Sequence, residues 1–404
     1  MKKKYSRQLS SSERIYLAYN SICPPFSNQM ILEGDGKPDI DAFRNAIEKA
    51  SMANPGSRVK IKGFLGATRL VDSGVTPELR VANGNEWNGL GPENAPFLLK
   101  DISPVDAGGC EVVIIEGNPQ RIAFRTHHSI MDARGTLLWA ADIFRVLRNE
   151  APLGSDSTIT EPEIAGTYQK NGRIPPGHNF IAPTGKPEGC DRGVAWQRLS
   201  IQGKKPELLP MVAFLLANEA RKYSDGNVRI AVPVDMRFRQ EGLRSTGNLT
   251  NLIYLDISPD TTVDEIASNI KFQLENKYDG MIYKRDGLIR FIPLSLIKKE
   301  VLKEISDKNR TGLYRNSGIL SNPGKLSPDQ FSGGNFTMKT GFFIPPGQES
   351  MPIFVAMSGT DTSVEIVFSI PKTLASSGRM EKLIKAVENG LTSGAAIPGH
   401  NKIN

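Results

Sequence analysis

Polar and apolar residues follow each other along this chain with two periods, one typical of helices and one typical of strands. The first clear helical period runs from Ile40 to Ala53, where apolar residues fall on one face and Asp39 precedes the acidic start. Asn54-Pro55-Gly56 ends this segment, because proline and glycine interrupt helices. The region that follows, from 63 to 96, is rich in Gly, Asn and Pro and is poorly patterned.

Two strands and a helix are predicted further along the first half. The β-branched run from Cys110 to Glu116 predicts a strand, Gly117-Asn118-Pro119 predicts a turn, and Arg121 to Thr126 predicts the returning strand. After a pair of histidines, the segment from Gly135 to Leu147 presents a broad apolar face and predicts a helix.

The stretch from 151 to 194 has no hydrophobic period and carries repeated Pro and Gly. A connection of that length is uncommon inside one compact domain, so we place the boundary there. We expect an N-terminal subdomain over residues 1–160, a linker over 161–194 and a C-terminal subdomain over 195–404. In the second half the predicted helices are Pro210–Lys222, Val263–Glu275, Leu294–Ile305 and Met380–Leu391, and the predicted strands are Val228–Pro233, Leu249–Ile257, Gly341–Ile344, Ile353–Met357 and Val364–Ile370.

Composition and charge narrow the class of protein. With 404 residues, of which 39% are hydrophobic, the chain can build two domains with a core each. Three widely spaced cysteines exclude a disulfide framework and fit a reducing compartment. No secretion signal or bilayer-spanning stretch is evident, so we expect a cytoplasmic protein without membrane insertion. The net charge of +7 is compatible with an acidic protein partner, but the basic residues are scattered, which argues against nucleic acid.

Two of the four histidines lie where chemistry is expected. His178 falls in the predicted linker and His400 near the C-terminus, and both are predicted to be exposed polar residues. His127 and His128 are adjacent and stand between a predicted strand and a predicted helix. A rigid scaffold holds residues at such a junction, while their side chains can reach a cleft.

His128 is the predicted reaction centre, with Asp132 four residues later, close to the start of the predicted helix. A carboxylate there is favoured by the helix dipole and can pair with an arginine that locks the turn, so that the imidazole points one way. Neutral histidine is a suitable general base near pH 7. If His128 deprotonates an incoming amine or alcohol directly, the chain needs no nucleophile of its own.

Three other interpretations of this segment stay open from the residues alone. His127, His128 and Asp132 could belong to a metal site, although adjacent histidines on a strand point to opposite faces and no further His or Cys is near. The two histidines could instead be buried polar residues of the core. Ser129 could act as a nucleophile beside His128, although a neighbouring residue rarely points at its own base.

The run Thr126-His127-His128-Ser129-Ile130-Met131-Asp132 resembles the His-His-x-x-x-Asp-Gly signature of the chloramphenicol acetyltransferase-like superfamily, which includes the condensation domains of nonribosomal peptide synthetases. Further segments resemble condensation domains in the same order, and together they cover nearly the whole chain. They are the helix 40–53, the strand-turn-strand before the histidines, Val232-Pro233-Val234-Asp235-Met236-Arg237, Gly247-Asn248-Leu249-Thr250-Asn251 and Leu320-Ser321-Asn322-Pro323-Gly324.

The resemblance implies a fold and roles for individual residues. The fold would be α/β with mixed sheets, built as two acetyltransferase-like subdomains in a V-shaped pseudo-dimer with a tunnel between them. His128 would be the catalytic histidine, as general base or as the group that positions the nucleophile, and His127 would support it. Asp132 would hold the turn through an ion pair with Arg237.

Four more positions follow from the resemblance. Asn251, Ser321 and Asn322 would line the substrate tunnel. Ala133 departs from the family pattern, because members usually carry glycine directly after the aspartate, and here the glycine is delayed to Gly135. Gly135 is therefore expected to support the turn, while Ala133 could narrow the approach to His128.

The implied activity is that of a stand-alone condensation-type acyltransferase in secondary-metabolite biosynthesis, such as that of an antibiotic. It would form an amide or ester between an acyl thioester on the phosphopantetheine arm of an acyl or peptidyl carrier protein and a small amine or alcohol. No metal and no permanently bound cofactor are expected. Two alternatives stay open: a coenzyme A-dependent O- or N-acyltransferase, and a non-catalytic docking module with the same fold. The oligomeric state is open as well.

Overall fold

The computed structural model describes residues 4–168, 174–177, 179–282 and 284–392, so His178 and His400 lie outside the described residues. The helices are α1 (Ser11–Asn20), α2 (Ile40–Ala53), α3 (Ala133–Leu147), α4 (Glu161–Tyr168), α5 (Leu208–Arg221), α6 (Val263–Glu275), α7 (Leu294–Thr311), α8 (Lys372–Ala375) and α9 (Arg379–Thr392). The strands are β1 (Ser6–Gln8), β2 (Ser27–Asp35), β3 (Val59–Lys62), β4 (Arg69–Asp72), β5 (Glu78–Asn83), β6 (Cys110–Glu116), β7 (Gln120–His127), β8 (Val194–Gln202), β9 (Val228–Asp235), β10 (Thr250–Ile257), β11 (Gly318–Lys325), β12 (Thr337–Ile344), β13 (Phe354–Gly359) and β14 (Ser363–Pro371).

Two larger sheets organise the described part of the chain. A five-stranded sheet has the order β12-β2-β7-β6-β5, and a six-stranded sheet has the order β10-β9-β11-β13-β14-β8. Both are mixed, because β5 runs parallel to β6, and β11 runs parallel to β9 and β13, among otherwise antiparallel neighbours. A smaller sheet, β1-β4-β3, accompanies them. The predicted α/β class with mixed sheets is confirmed.

Each large sheet has its own core. In the first half, α2 and α3 cover the five-stranded sheet, and Phe43 of α2 meets Phe144 of α3 edge-on with a ring-centroid distance of 5.9 Å. In the second half, α5 and α9 pack on the six-stranded sheet through small and aliphatic residues such as Ala213 and Val387. The apolar stripe that predicted α2 is the face that is buried here.

The two halves are joined by a shared strand and by buried charges. Strand β12 comes from the second half of the sequence, yet it pairs with β2 of the first. The predicted division into subdomains of residues 1–160 and 195–404 stays a prediction. Strand β12 belongs to the second of these ranges but pairs with β2 of the first. Between the sheets, Arg198 donates to Glu33 at 2.8 Å and to Glu365 at 2.8 Å, and Arg121 donates to Glu33 at 2.8 Å. We call these four residues, all buried, the sheet network.

The structure contains elements that the hydrophobic pattern does not reveal. Helix α1 has a weak apolar period because it buries charged residues, Glu13 and Arg14, on its inner face. Strand β2 is buried along almost all of its length and so lacks alternation. Helix α4 lies inside the predicted linker, where proline and glycine dominate the sequence. None of the described helices is long and apolar enough to cross a bilayer.

Candidate active site

Strand β7, the central strand of the five-stranded sheet, ends at His127, and His128 follows it directly. The backbone N–H of His127 donates to the carbonyl of Gly109 at 2.8 Å, and that of His128 donates to the carbonyl of Phe26 at 3.0 Å. The chain then turns sharply, since the N–H of Ile130 donates back to the carbonyl of His127 at 2.8 Å. Hydrogen bonds to two neighbouring segments therefore fix the backbone positions from which the two imidazoles project.

The imidazole of His127 points into the protein. Its Nδ1 accepts from the backbone N–H of Ser129 at 3.1 Å and lies 2.7 Å from the Ser129 hydroxyl, so the ring proton sits on Nε2. Burial, with the nearby His128 as a second cause, lowers the pKa of His127 to about 3, and the ring stays neutral at pH 7. Because the Ser129 hydroxyl is bound to His127, it is not placed as a nucleophile beside His128.

The imidazole of His128 is half-buried and faces the other way. It stacks on the ring of Tyr16, with centroids 4.4 Å apart and planes 10° from parallel, and it lies 5.6 Å from Phe26. Its Nδ1 is 3.2 Å from the carbonyl oxygen of Met131. The side-chain amide of Asn28 also donates to the carbonyl of Met131, at 2.7 Å.

Nδ1 of His128 has two polar neighbours at 3.2 Å: the carbonyl oxygen of Met131, which only accepts hydrogen bonds, and the side-chain amide nitrogen of Asn28, which can donate one. A proton on Nδ1, donated to the Met131 carbonyl, leaves the lone pair on Nε2, whereas a hydrogen bond from Asn28 to Nδ1 requires the proton on Nε2. The hydrogen bonds of the His128 ring that the structure describes involve Nδ1 and not Nε2. Burial lowers the pKa of His128 below its ordinary value, against the opposing effects of the Met131 carbonyl and the Asp132 charge. A neutral imidazole with an unoccupied Nε2 is the protonation state that a general base requires.

Asp132 ends the turn and begins α3. As the N-cap residue of that helix, its carboxylate accepts from the backbone N–H of Gly135 at 2.7 Å. It also accepts from the N–H of Leu249 at 2.8 Å and from the hydroxyl of Thr250 at 2.9 Å, both at the start of β10. Asp132 thereby ties the histidine turn to the second half of the chain.

The predicted ion pair between Asp132 and Arg237 is present and is bidentate. Two guanidinium nitrogens of Arg237 lie 3.1 and 3.0 Å from the two carboxylate oxygens, and both side chains are buried. Burial by itself raises the pKa of Asp132, but the charge of Arg237 and the hydrogen bonds outweigh it and hold that pKa below its ordinary value. Arg237 also donates to the carbonyls of Ser245 and Gly247. We call the Asp132–Arg237 pair the loop latch.

The structure explains why the glycine is delayed. A side chain at Gly135 would place its Cβ 2.2 Å from the carbonyl oxygen of Thr246, so this helical turn can approach the second half only if residue 135 lacks a side chain. Ala133 is the first residue of α3 and has no positive φ, so its backbone suits alanine. The close approach that requires glycine is therefore at 135 and not directly after the aspartate.

Residues of α1 border the site, and the pattern-based prediction missed them. Glu13 is fully buried and accepts from Arg7 at 2.7 Å and from the amide of Asn248 at 3.0 Å. Arg7 in turn donates to the carbonyl of Ile130, within the histidine turn. The available signal was the pair Ser10 and Glu13, which forms a capping box at the start of α1.

The three predicted tunnel residues have different surroundings. The amide of Asn251 donates to the carbonyls of Asp279 at 2.7 Å and Met281 at 2.9 Å, so it anchors a neighbouring turn. Ser321 is half-buried on β11, and Asn322 is exposed with its side-chain oxygen accepting from the N–H of Gly324. Their role in lining a tunnel stays a prediction. Within the described ranges, no group of three or more His, Cys, Asp or Glu is arranged to hold a metal ion.

Comparison with known proteins identifies the fold. No protein-family model matches the chain, and no curated protein matches it in sequence. Among solved structures, a variant of the starter condensation domain of rhizomide synthetase RzmA, in complex with C8-CoA and Leu-SNAC, is similar to 98% of this chain and 96% of its own, with a TM-score of 0.66 and 13% identity. The condensation domain of the Monacolin K polyketide synthase MokA gives a TM-score of 0.61 at 10% identity, over 96% of this chain and 98% of its own. The epimerization domain from the third module of tyrocidine synthetase B gives 0.54 at 13%, over 97% of each chain. The chain has the condensation-domain fold over almost its whole length.

Proposed function

We propose that this chain is a condensation-type acyltransferase, which forms an amide or ester between an acyl thioester and a small amine or alcohol in a secondary-metabolite pathway. The condensation-domain fold supports the general class. The observation that carries the proposal is the setting of His128, an imidazole with a lowered pKa whose Nδ1 lies 3.2 Å from the Met131 carbonyl and whose Nε2 takes part in none of the hydrogen bonds that the structure describes. In the proposed tautomer, Nδ1 donates its proton to that carbonyl and Nε2 keeps its lone pair.

The proposed reaction uses that Nε2. The nitrogen or oxygen of the acceptor attacks the carbonyl carbon of the thioester while His128 Nε2 takes the proton from the acceptor. The tetrahedral intermediate then collapses, the carbon–sulfur bond breaks, and the thiolate leaves with the proton returned by His128. Donor and acceptor become an amide or ester plus a free thiol, so atoms and charge balance without a cofactor. A positioned base of this kind contributes roughly 10²- to 10⁴-fold to the rate.

The other motif residues are proposed to position His128 and not to react. Every interaction of the Asp132 carboxylate that the structure describes is with Arg237, Thr250 or backbone N–H groups, which leaves it unsuited to proton transfer. Its effect reaches His128 through the turn, since Met131, whose carbonyl lies 3.2 Å from Nδ1 of His128, precedes Asp132 directly. His127, with its pKa lowered to about 3, supports the turn through Ser129.

The donor thioester is proposed to arrive on the phosphopantetheine arm of a carrier protein. The net charge of +7 is compatible with an acidic carrier. A second candidate is a coenzyme A-dependent acyltransferase on a small molecule. That candidate is favoured by one observation, namely that a structure with this fold was solved with C8-CoA bound.

The test is to incubate the protein with acyl thioesters on coenzyme A and on a holo carrier protein, with a mixed pool of amines and alcohols, and to follow products by mass spectrometry. His128→Ala should reduce product formation by roughly 10²-fold or more. His128→Gln is the matched control, because an amide can accept a hydrogen bond but cannot carry a proton away. A base is indicated if both variants are inactive, and a positioning group if His128→Gln retains most of the rate.

The donor dependence separates the two candidates. Product from the carrier-bound thioester alone supports the condensation-type reaction, and product from coenzyme A supports the second candidate. Turnover that is unchanged in His128→Ala contradicts the role of His128. If neither donor gives a product that depends on His128 across a broad panel, the chain is a docking module with this fold.

A further inference from the structure

Two segments that lie against each other carry several exposed large apolar side chains. Phe64 follows β3, and the others lie shortly before α7 or on it. Their exposed fractions range from 37% to 74%, which is high for leucine, isoleucine and phenylalanine. These residues are Phe64, Leu288, Phe291, Ile292, Leu294, Leu296 and Leu302.

Two distant segments are fixed against each other to form this surface. The buried Arg14 of α1 donates to the carbonyl of Leu65 at 3.4 Å and to the carbonyl of Ile292 at 2.6 Å, so one guanidinium holds both backbones. The ring of Phe291 lies against Gly66, where an added Cβ would be 2.6 Å from the ring edge. The backbone of the two segments that carry the apolar side chains is therefore held in place.

Basic side chains are interleaved with the apolar ones. Arg290 lies over the ring of Phe291, with 4.7 Å between the guanidinium carbon and the ring centroid. On α7, Lys299 lies three residues from Leu296 and from Leu302, and Lys303 follows Leu302. Both lysines are exposed, and neither has an ion-pair partner among the described residues. One acidic residue, the exposed Glu300, stands between them in the sequence. We call these three basic residues and the seven apolar ones the apolar–basic surface.

We infer that the apolar–basic surface docks on an anionic lipid surface, with Phe64, Phe291 and Leu296 entering the headgroup region and the basic residues contacting lipid phosphates. Aromatic and aliphatic side chains mixed with lysine and arginine are typical of segments that lie in a membrane interface. Lysine is depleted from the centres of protein–protein interfaces, which makes an acidic protein the less suitable occupant. Docking of this kind needs no membrane-spanning helix.

Helix α7 connects the apolar–basic surface to the helix that borders the candidate active site. Helix α7 packs on α1 through Ile297, Val301 and Ile305, which surround Ala18. Helix α1 also carries Tyr16, which stacks on His128. A lipid surface bound here would lie one helix layer beyond the helix that borders the candidate active site. The inference does not depend on the proposed acyl transfer, because lipid binding is measured without any reaction.

The test is co-sedimentation of the protein with vesicles of phosphatidylcholine plus phosphatidylserine and with vesicles of phosphatidylcholine alone. We expect binding to the first that weakens with salt, since charge attraction is screened within about 8 Å at physiological ionic strength. The double variant F291S/L296S should lower the apparent affinity about tenfold or more. The double variant K299E/K303E should lower it at least about fivefold for each lysine.

Matched controls keep the test specific. M52S/L153S removes two exposed apolar side chains outside the surface, and K49E/K382E makes the same change in net charge on other exposed lysines. Both controls should bind like the unchanged protein, and all four variants should keep its melting temperature. No binding to the phosphatidylserine vesicles, an equal loss in the controls, or binding to an acidic carrier protein through this surface without vesicle binding would each overturn the inference.

Discussion

The loop latch and the sheet network join the same two halves with the same chemistry, yet they serve different purposes. In the latch, Asp132 and Arg237 are paired at the start of the helix that follows the histidine turn. In the sheet network, Arg198 bridges Glu33 and Glu365 between the two large sheets and contacts neither histidine. Buried ion pairs by themselves are weak evidence for function. The latch gains its significance from its position, one residue after Met131, whose carbonyl lies 3.2 Å from Nδ1 of His128.

Breaking the latch should have the largest effect. Asp132→Ala leaves Arg237 buried beside Asp235 without its main partner, and removal of one partner of a buried pair typically costs about 3–5 kcal/mol. The free energy of unfolding should fall by about that amount, and turnover should fall with it because the Met131 carbonyl loses its fixed position. Urea unfolding and product formation measure the two effects. An Asp132→Ala protein with unchanged melting point and activity would show that the pair does not hold the turn.

Breaking the sheet network should affect stability and leave catalysis intact. Arg198→Met removes the shared cation and leaves the buried Glu365 without an ion-pair partner among the described residues, while Glu33 keeps Arg121, so the unfolding free energy should again fall by about 3–5 kcal/mol. The rate per folded molecule should stay close to that of the unchanged protein. Activity measured well below the unfolding midpoint, and normalised to the folded fraction, tests this difference. If Arg198→Met and Asp132→Ala lose the same activity per folded molecule, the two regions are not functionally distinct.

Another buried carboxyl, that of Glu161, differs from those of the latch and the sheet network because no basic group pairs with it in the described residues. Glu161 begins α4, accepts from the Ser12 hydroxyl at 2.7 Å with one oxygen, and has no partner for the other. Burial, and then the negative charge of Glu13, raise the pKa of Glu161 to about 7. The folded chain therefore keeps a proton that the unfolded chain releases between the ordinary carboxyl pKa and about pH 7, so stability falls as the pH rises through that window.

Glu161→Gln removes this pH dependence, since glutamine is neutral at every pH. The variant should be more stable than the unchanged protein by about 3 kcal/mol at pH 8, and the difference should vanish below pH 4.5. Thermal unfolding of both proteins across this range measures it. A constant difference between the two proteins at all pH values would mean that Glu161 does not titrate in this window.

The smallest effect is expected at the glycine beside the latch. Gly135→Ala forces a Cβ towards the Thr246 carbonyl, so the helix start must shift, and overpacking of this kind typically costs about 1–3 kcal/mol. Ala133→Gly should cost no more than about 1 kcal/mol, because its backbone already suits either residue. Comparing the two melting temperatures tests whether the required glycine is at 135. A larger loss in Ala133→Gly would contradict the structural explanation of the delayed glycine.

The sequence predicted well those elements whose apolar residues follow a strict period. Helix α2 has the predicted bounds, and strand β6 is the predicted β-branched run. It did not predict α1, because the inner face of that helix is charged and its partners, Arg7 and Asn248, come from other parts of the chain. The sequence pattern also assigned the residues of α4 to the linker, because they show no hydrophobic period. Hydrophobic periodicity reports burial of apolar side chains, and it fails where the buried side chains are polar.

The sequence by itself determined which groups are present at the site, since the order of His127, His128 and Asp132 before a helix, together with the resemblance to condensation domains, was enough to expect a catalytic histidine and an ion pair with Arg237. Only the tertiary structure decided what surrounds His128, because the Met131 carbonyl and the Asn28 amide at its Nδ1 and the stacked ring of Tyr16 come from different segments. It also decided where the close approach requires glycine and which exposed residues of two distant segments share one surface. The physical reason is that residue types and short-range periods are local properties, whereas hydrogen-bond partners, burial and pKa values arise from contacts between segments far apart in sequence.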